Sequence, residues 1–283
     1  MALRREPTAR QHRLAAELRR LRDAAGLTAR EAAALLGVSP VQISHIESAL
    51  AGVSEERLRR LASHYACTDG QFIDALVTMA TDRTRGWWEE YRGLLPTSFL
   101  DLSELEHHAR SQANVAILFV PGLLQTEEYA RAVFSNRIPE LRPEELELRV
   151  QHRMARRVAI ERAAPIGFEA VIHEAALRIR VSDRAASRAQ LTRILELSEA
   201  DHISIRVIPL DLDGFSRGGS SMTYLGGPVA RLDTVIRDAP HGAALVDSEA
   251  QLAEYRARFR KVEASSFEPE RSRDFIHTLV KEL

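Results

Sequence analysis

The first third of the chain repeats its hydrophobic residues with the period of an α-helix. Within it, the segment Leu27–Leu50 predicts two short helices joined by a tight turn. Thr28 is the expected N-cap of the first helix, and Ser39 followed by Pro40 opens the second. Gly37 follows the last apolar position of the first helix, where a positive φ is easiest to place.

Each short helix is predicted to have an apolar side. On the first helix it holds Ala32, Ala33, Leu35 and Leu36. On the second helix it holds Ile43, Ile46 and Leu50, while the other side carries Val41, Ser44, His45 and Ser48. Glu31 and Gln42 stand three residues after the two caps and predict capping boxes. A helix with a small, polar, weakly charged outer face can lie in the major groove of DNA.

This segment resembles the helix-turn-helix of the Xre class, the phage-repressor-like DNA-binding domains. The matching positions are Gly26-Leu27-Thr28, Ala33, Gly37-Val38-Ser39, Ile43-Ser44 and Ile46-Glu47. The resemblance implies that Pro40 to His45 face the groove. It also implies that Arg22 and Glu47 form a buried ion pair between the first helix and the recognition helix.

The DNA-binding residues predicted on this basis are Arg19, Arg20, Thr28, Ser39, Pro40, Val41, Gln42, Ser44 and His45. Two departures from the class pattern weaken the expected contacts. Ala29 stands where many relatives have a glutamine that touches phosphate, and Pro40-Val41 replaces hydrogen-bonding residues at the helix start. The alternative interpretation is an ordinary helical hairpin within a larger helical domain.

Charge supports the DNA-binding interpretation locally and not globally. The formal net charge of the chain is -1, but residues 1–30 hold eight arginines against three acidic residues. Beside a helix-turn-helix, such a block is the expected phosphate-facing charge, although basic blocks are often only solvated arms. Cys67 is the single cysteine, which excludes an internal disulfide framework. No apolar run approaches the ~20 residues of a membrane span, so we expect a cytoplasmic protein.

We expect two domains, with the boundary in the short polar segment that begins at Thr81. Residues 1–80 should form the all-α helix-turn-helix domain, and residues 81–283 an α+β domain with a small mixed or antiparallel sheet. Helices are predicted over residues 102–112, 126–134, 144–163, 187–199, 248–264 and 268–280. Strands are predicted over residues 115–120, 166–172, 203–207, 221–225 and 232–237, with a polar loop over 211–219. The helix over 144–163 should carry Arg149, Arg153, Arg156, Arg157 and Arg162 on its outer face.

The second domain resembles an uncharacterised domain that follows Xre-type helices in actinobacterial regulators, including regulators of the WhiJ kind. The matches begin with Trp87-Trp88, Leu105-Glu106 and the run from Pro121 to Ala130, which contains the sequence PGLLQT. They continue at Arg149 to Arg153, His173 to Leu177, Gln190-Leu191 and Val207-Ile208-Pro209. The resemblance implies a transcriptional regulator that often works with a small partner protein encoded nearby.

The PGLLQT run joins a predicted strand to a predicted helix start, where loops commonly carry binding residues. We expect a groove for a small protein or ligand, built from Pro121, Gly122, Leu123, Leu124, Gln125, Thr126 and Tyr129. The alternative is that both leucines fill the core. In that case Gln125 and Thr126 only cap the helix.

No constellation in the second domain favours catalysis. His107-His108, near Glu104 and Glu106, lacks the i, i+4 spacing of a zinc-binding helix. The sequences around Asp211-Asp213-Gly214 and Gly218-Gly219 lack the remaining ligands of a calcium loop and the lysine of a phosphate loop. We therefore expect no enzyme, no metal and no cofactor.

Two functions remain open from the sequence. One is a homodimeric transcriptional regulator that binds double-stranded DNA and whose second domain senses a small effector molecule or a small partner protein. The other is an antitoxin-like interaction protein that captures a small partner and autoregulates through its DNA-binding domain. The residues do not separate the two.

Overall fold

The computed structural model describes residues 6–212, 220–239 and 242–283. The chain divides into two compact units, Met1–Glu89 and Glu90–Leu283. Residues 213–219 of the predicted polar loop lie outside the described residues, and with them Asp213-Gly214 and Gly218-Gly219 of the two motifs considered above.

The first unit is all-α, as predicted. A short 3-10 helix, Trp87–Tyr91, begins at its end. The five α-helices are α1 Ala9–Ala24, α2 Ala29–Leu36, α3 Pro40–Glu47, α4 Glu55–His64 and α5 Gly70–Thr81. Each helix begins with a side chain that accepts a hydrogen bond from the third backbone N–H of the helix, and these caps are Thr8, Thr28, Ser39, Ser54 and Asp69. Such caps stabilise a helix by about 1 kcal/mol each, so the sequence fixes where the helices start.

Two leucines of the predicted apolar faces are exposed instead. Leu35 is 44% exposed because the short helix α2 buries only Ala32, Ala33 and Leu36. Leu50 is 46% exposed because α3 ends at Glu47 and Ala49 adopts a positive φ of 59°, so the helical phase is lost before Leu50. Helical spacing predicts a face only as far as the helix continues.

The second unit is built on one mixed sheet of six strands in the order β3-β2-β1-β4-β5-β6. The strands are β1 Ser111–Ala116, β2 Gly167–His173, β3 Ile203–Ile208, β4 Met222–Gly226, β5 Thr234–Ala239 and β6 Gly242–Val246. The first three are parallel, and β4, β5 and β6 continue the sheet in antiparallel pairs. The unit is therefore α+β with a mixed sheet, as expected.

Helices cover both faces of this sheet. They are α6 Thr97–His108, α7 Glu127–Ser135, α8 Pro143–Ala155, α9 Val158–Glu161, α10 Glu174–Arg178, α11 Arg184–Leu197, α12 Glu249–Ala264 and α13 Pro269–Glu282. On one face, side chains from α7, α9, α10, α11 and α13 pack on β2 and β3 in one hydrophobic cluster. On the other face, α12 packs on Val115, Val171 and Val235 in a second cluster. No helix in the described part of the chain is long and apolar enough to cross a membrane.

Two neighbouring elements of the second unit differ in extent from the prediction. The helix over 102–112 is α6, which ends at His108, and the strand over 115–120 is β1, which begins at Ser111. The reason is pairing, because β1 aligns with β2 from Ser111 opposite Gly167 to Ala116 opposite Ile172. Residues 111–112 therefore belong to the sheet despite their helical spacing.

The long helix predicted over 144–163 is interrupted. It consists of α8, which ends at Ala155, and the single turn α9 from Val158. Arg156 lies at the break and is only 7% exposed, so it does not belong to the predicted outer face. Strand β6 was not predicted, because its Gly-Ala-Ala start has low strand propensity and its place in the sheet comes from pairing with β5.

Candidate nucleic-acid interface

The outer face of α3 is largely exposed and carries Ser44 and His45 among its side chains. Val41 is 61% exposed, Ser44 and His45 are exposed, and Gln42 is half-buried. On the opposite face Ile43 and Ile46 are 1% and 3% exposed and hold the helix on the core. One face of this helix is therefore free to enter a groove.

The turn before α3 fixes the angle between α2 and α3. Gly37 has a φ of 74°, a left-handed conformation that costs other residues free energy. The N–H of Val38 then donates to the carbonyl of Ala33 at 3.0 Å. Ser39 caps α3 by accepting from the N–H of Gln42 at 3.3 Å. The predicted second capping box is incomplete, because the Gln42 side chain does not return a bond to Ser39 and stays on the outer face.

Arg22 of α1 and Glu47 at the end of α3 form a two-point ion pair. Nε and Nη2 of Arg22 donate to the two carboxylate oxygens of Glu47 at 2.7 and 2.8 Å. Nη1 of Arg22 also donates to the carbonyl of Leu27 at 2.7 Å. Only about a tenth of either side chain is exposed. The pair thus joins α1, the start of the helix-turn-helix and the recognition helix.

Two of the expected DNA contacts are occupied within the fold. The Arg20 guanidinium pairs with Glu17, whose carboxylate is buried and also lies 3.0 Å from Arg13. Thr28 accepts from the N–H of Glu31 and donates to its carboxylate at 2.7 Å, so its hydroxyl serves the cap. Arg19 is exposed, with Asp23 at 3.7 Å.

Sequence reasoning missed Arg30. It lies in the first turn of α2, is exposed, and has no ion-pair partner among the described residues. The backbone N–H groups of the first turn of a helix favour a phosphate, and a neighbouring arginine adds to that preference. Its position two residues after the Thr28 cap was the signal that could have found it.

The Pro121–Tyr129 segment lies inside the second unit. Leu123, Leu124, Gln125 and Tyr129 are all 3% exposed or less. A short 3-10 helix, Gly122–Leu124, directs the two leucines into the core, and Thr126 caps α7. Pro121 is buried, while Gly122 and Thr126 are half-buried. The fold therefore uses these side chains for burial and capping, as in the alternative interpretation of this segment.

The polar atoms of this segment bond within the chain. Nε2 of Gln125 donates to the carbonyl of Val120 at 2.7 Å, and the Tyr129 hydroxyl accepts from the N–H of Val120 at 3.1 Å. Gln190 of α11 donates to the carbonyl of Leu124 and accepts from the N–H of Thr126, both at 2.8 Å. Burying these amides without partners would cost about 1–3 kcal/mol each, so the bonds specify the conformation of the turn.

Arginines of α8 and the following break hold the same segment from outside. Arg153 donates to the Oε1 of Gln125, and Arg157 donates to the Gln125 carbonyl. A Cβ at Gly122 would meet guanidinium nitrogens of Arg153 and Arg156 at 3.3 Å. Glycine is therefore the residue that lets the arginines approach this backbone.

Two sequence families match the chain. A family described as "Domain of unknown function (DUF5753)" matches residues 99–278, which is more than half of the protein. The chain belongs to the DUF5753 family. A family described as "Helix-turn-helix domain" matches residues 13–76, and this domain marks a DNA-binding regulator. No curated protein and no solved structure matches the chain.

The DUF5753 region also contains a buried charged pair. Nε and Nη2 of Arg156 donate to the two carboxylate oxygens of Glu106 at 2.9 and 2.6 Å, with the two side chains 8% and 2% exposed. The pair links α6 to the break after α8. In the sequence, Glu106 stood next to His107-His108 as part of a possible metal cluster. In the fold, it is the buried ion-pair partner of Arg156.

Next to this pair, His152 is 1% exposed and its Nε2 lies 3.0 Å from the hydroxyl of Ser103. Burial, and then the positive charges of Arg156 and Arg153, lower the pKa of His152 to about 3. The imidazole is therefore neutral at physiological pH. The DUF5753 region uses its polar motif residues mainly to fix its own interior.

Proposed function

We propose that this protein is a sequence-specific DNA-binding transcriptional regulator of the Xre class, and that it acts as a homodimer. The observation that supports the proposal is the outer face of α3, where polar side chains remain exposed on a helix fixed from behind by the Arg22–Glu47 pair. The match of residues 13–76 to a helix-turn-helix domain supports the same assignment.

The size of the reading surface supports the homodimer. One recognition helix contacts few base pairs, and helix-turn-helix dimers place two such helices ~34–36 Å apart on a palindromic site. We propose Gln42, Ser44 and His45 as the residues that read base edges. We propose Arg30 and Arg19 as phosphate contacts, because both are exposed on the first unit.

We propose that the second unit is regulatory and senses a small effector molecule or a small partner protein. The support is its size and its separate core, because a unit of this extent is not needed for a helix-turn-helix to fold or to read DNA. Its Pro121–Tyr129 segment is then part of the scaffold, and the sensing surface lies elsewhere on the unit.

The test is a selection of bound sequences from a random DNA pool with the full chain and with His45→Ala and Gln42→Ala. We expect a palindromic preference, and a loss of about 1–3 kcal/mol at particular bases in each variant. His64→Ala is the matched control, because His64 is an exposed histidine on α4, away from the recognition helix. Arg30→Ala should instead weaken binding to all sequences and lower the salt dependence of log K by about one.

If the selected sequences contain no palindrome, the proposal that the protein binds DNA as a homodimer is wrong. If His45→Ala and His64→Ala keep the same preference as the unchanged chain, α3 does not read bases through His45. Analytical ultracentrifugation of the same samples measures the dimer directly.

A further inference from the structure

A cavity of about 510 Å³ opens at the carboxyl ends of β2 and β3 in the second unit. Its walls come from α10, from the residues that follow β3, and from α13. Cavities of this volume take small organic molecules.

The walls of the cavity are held by internal bonds. The carboxylate of Glu174, itself 7% exposed, accepts the N–H of Leu210 at 2.9 Å and pairs with Arg178. On the opposite wall, the N–H of Phe267 donates to the carbonyl of Val207 at 2.8 Å. These bonds fix the positions of Glu174, Leu210 and Phe267 around an open cleft.

Aromatic rings and carboxylates line this cavity together. The rings of Phe267 and Phe275 lie edge to face, 5.8 Å apart, and offer an apolar surface. Asp211 and Asp274 are exposed lining residues, and neither carboxylate has an ion-pair partner among the described residues. The Arg271 guanidinium lies 3.8 Å from the centroid of the Phe267 ring and covers one face of it.

The charge balance of the lining favours a cation. Glu174 pairs with Arg178, which also pairs with Glu282, so among the described lining residues Asp211 and Asp274 are the carboxylates without an ion-pair partner, beside the one guanidinium of Arg271. Carboxylates attract ammonium and guanidinium groups through opposite charge and charge-assisted hydrogen bonds. The apolar area between them suits a hydrocarbon or aromatic body attached to that cation.

We propose that this cavity binds a small organic cation, an amine or guanidinium joined to an apolar group. The assignment of this cation as the regulatory effector rests on the proposed function of the second unit. Asp211 and Asp274 would receive the cation, and Phe267 and Phe275 would receive the apolar body.

The test is calorimetric titration of the full chain with phenethylamine, phenethyl alcohol and hydrocinnamate, which share a benzyl group and differ in charge. We expect phenethylamine to bind more tightly than the alcohol and the acid to bind least. Asp211→Asn and Asp274→Asn should each weaken phenethylamine about fivefold, the effect of about 1 kcal/mol for one partly exposed charge pair. Asp201→Asn is the matched control, because Asp201 is exposed on the same unit and does not line the cavity.

Equal affinities for phenethylamine and phenethyl alcohol would overturn the proposal, as would unchanged affinities in Asp211→Asn and Asp274→Asn. Tighter binding of phenylalanine than of phenethylamine would assign the site to a zwitterion through Arg271 and also overturn it. DNA binding is then measured with and without phenethylamine. If phenethylamine binds through the carboxylates but leaves the DNA affinity unchanged, the cavity is a binding site and its regulatory role is removed. Failure of the site and failure of the proposed regulation are therefore distinguishable.

Discussion

The recognition helix α3 and the Pro121–Tyr129 segment both carry polar side chains. Those of α3 are largely exposed, whereas those of the segment are largely buried. Ser44 and His45 of α3 face solvent, whereas Gln125 is 2% exposed. Arginines support both regions, Arg22 behind α3 and Arg153 beside Gln125. A distinctive polar motif can therefore serve a partner or the interior, and burial decides which.

The largest expected effect concerns the buried pair of the second unit. Glu106→Leu should lower the free energy of unfolding by about 3–5 kcal/mol, because Arg156 would remain buried without its partner. Glu47→Leu in the first unit should cost less, since Arg22 keeps the Leu27 carbonyl and Asp23, 2.7 Å away, as partners. Denaturant titration of the full chain measures both.

The double variant Glu106→Leu with Arg156→Met controls for the charge. It should recover most of the lost stability, because no unpaired charge is left and the removed groups are replaced by apolar ones. If the double variant is as unstable as the sum of both single variants, the two residues do not act as a pair.

The next largest expected effect is the difference in stability between Gln125→Ala and Gln42→Ala. Gln125→Ala should lower the free energy of unfolding by about 1–3 kcal/mol, because the Val120 carbonyl would be buried without a donor. Gln42→Ala should change stability by less than about 0.5 kcal/mol and alter DNA preference instead. Equal losses of stability in the two variants would show that the inside–outside comparison is mistaken.

His152, which is buried in the second unit, should make the stability of the chain depend on pH. Its pKa is lowered from 6.5 to about 3 in the fold, so only the unfolded chain takes up a proton as the pH falls below 6.5. Stability should therefore fall by about 1.4 kcal/mol between pH 7.5 and 5.5, the linkage expected for one such group.

The measurement compares the pH dependence of unfolding in the unchanged chain and in His152→Gln, and the difference isolates this group from other histidines. Ser103→Ala should keep the slope, because burial is the largest cause of the lowered pKa and the Ser103 hydroxyl is not needed for it. A His152→Gln slope equal to that of the unchanged chain would assign the pH dependence to another residue.

The smallest expected effect lies at the end of the recognition helix. Ala49 has a φ of 59°, and Ala49→Gly should raise the free energy of unfolding by about 0.5–1 kcal/mol by relieving the left-handed conformation. Ala66, with a φ of 54° after α4, is the matched site. Thermal unfolding should show similar gains for Ala49→Gly and Ala66→Gly, while only the former lies beside α3. A loss of stability at either site would mean that its methyl group contributes more by packing than the strain costs.

In the first unit, the sequence determined where α2, α3 and α4 start and where the chain turns between α2 and α3. Its helices begin at Thr28, Ser39 and Ser54 and turn at Gly37, and these signals act over three or four residues. Because the interactions are local, caps, helical spacing and a left-handed glycine are sufficient to place them. The same local signals found Thr126 as the start of α7 and strands β2 and β3.

Only the tertiary structure decided the direction of side chains in the second unit. Helical spacing alone put Arg156 outside, yet Glu106, fifty residues earlier, draws it into the interior. Likewise Gln125 is buried because Gln190 and Arg153 come from distant parts of the chain to complete its turn. Such bonds depend on which elements meet in space, and the spacing of residues along one helix or strand does not contain that information. The cavity beside β3 has the same origin, because its Asp211 and Asp274 come together only through the packing of α13 on the sheet.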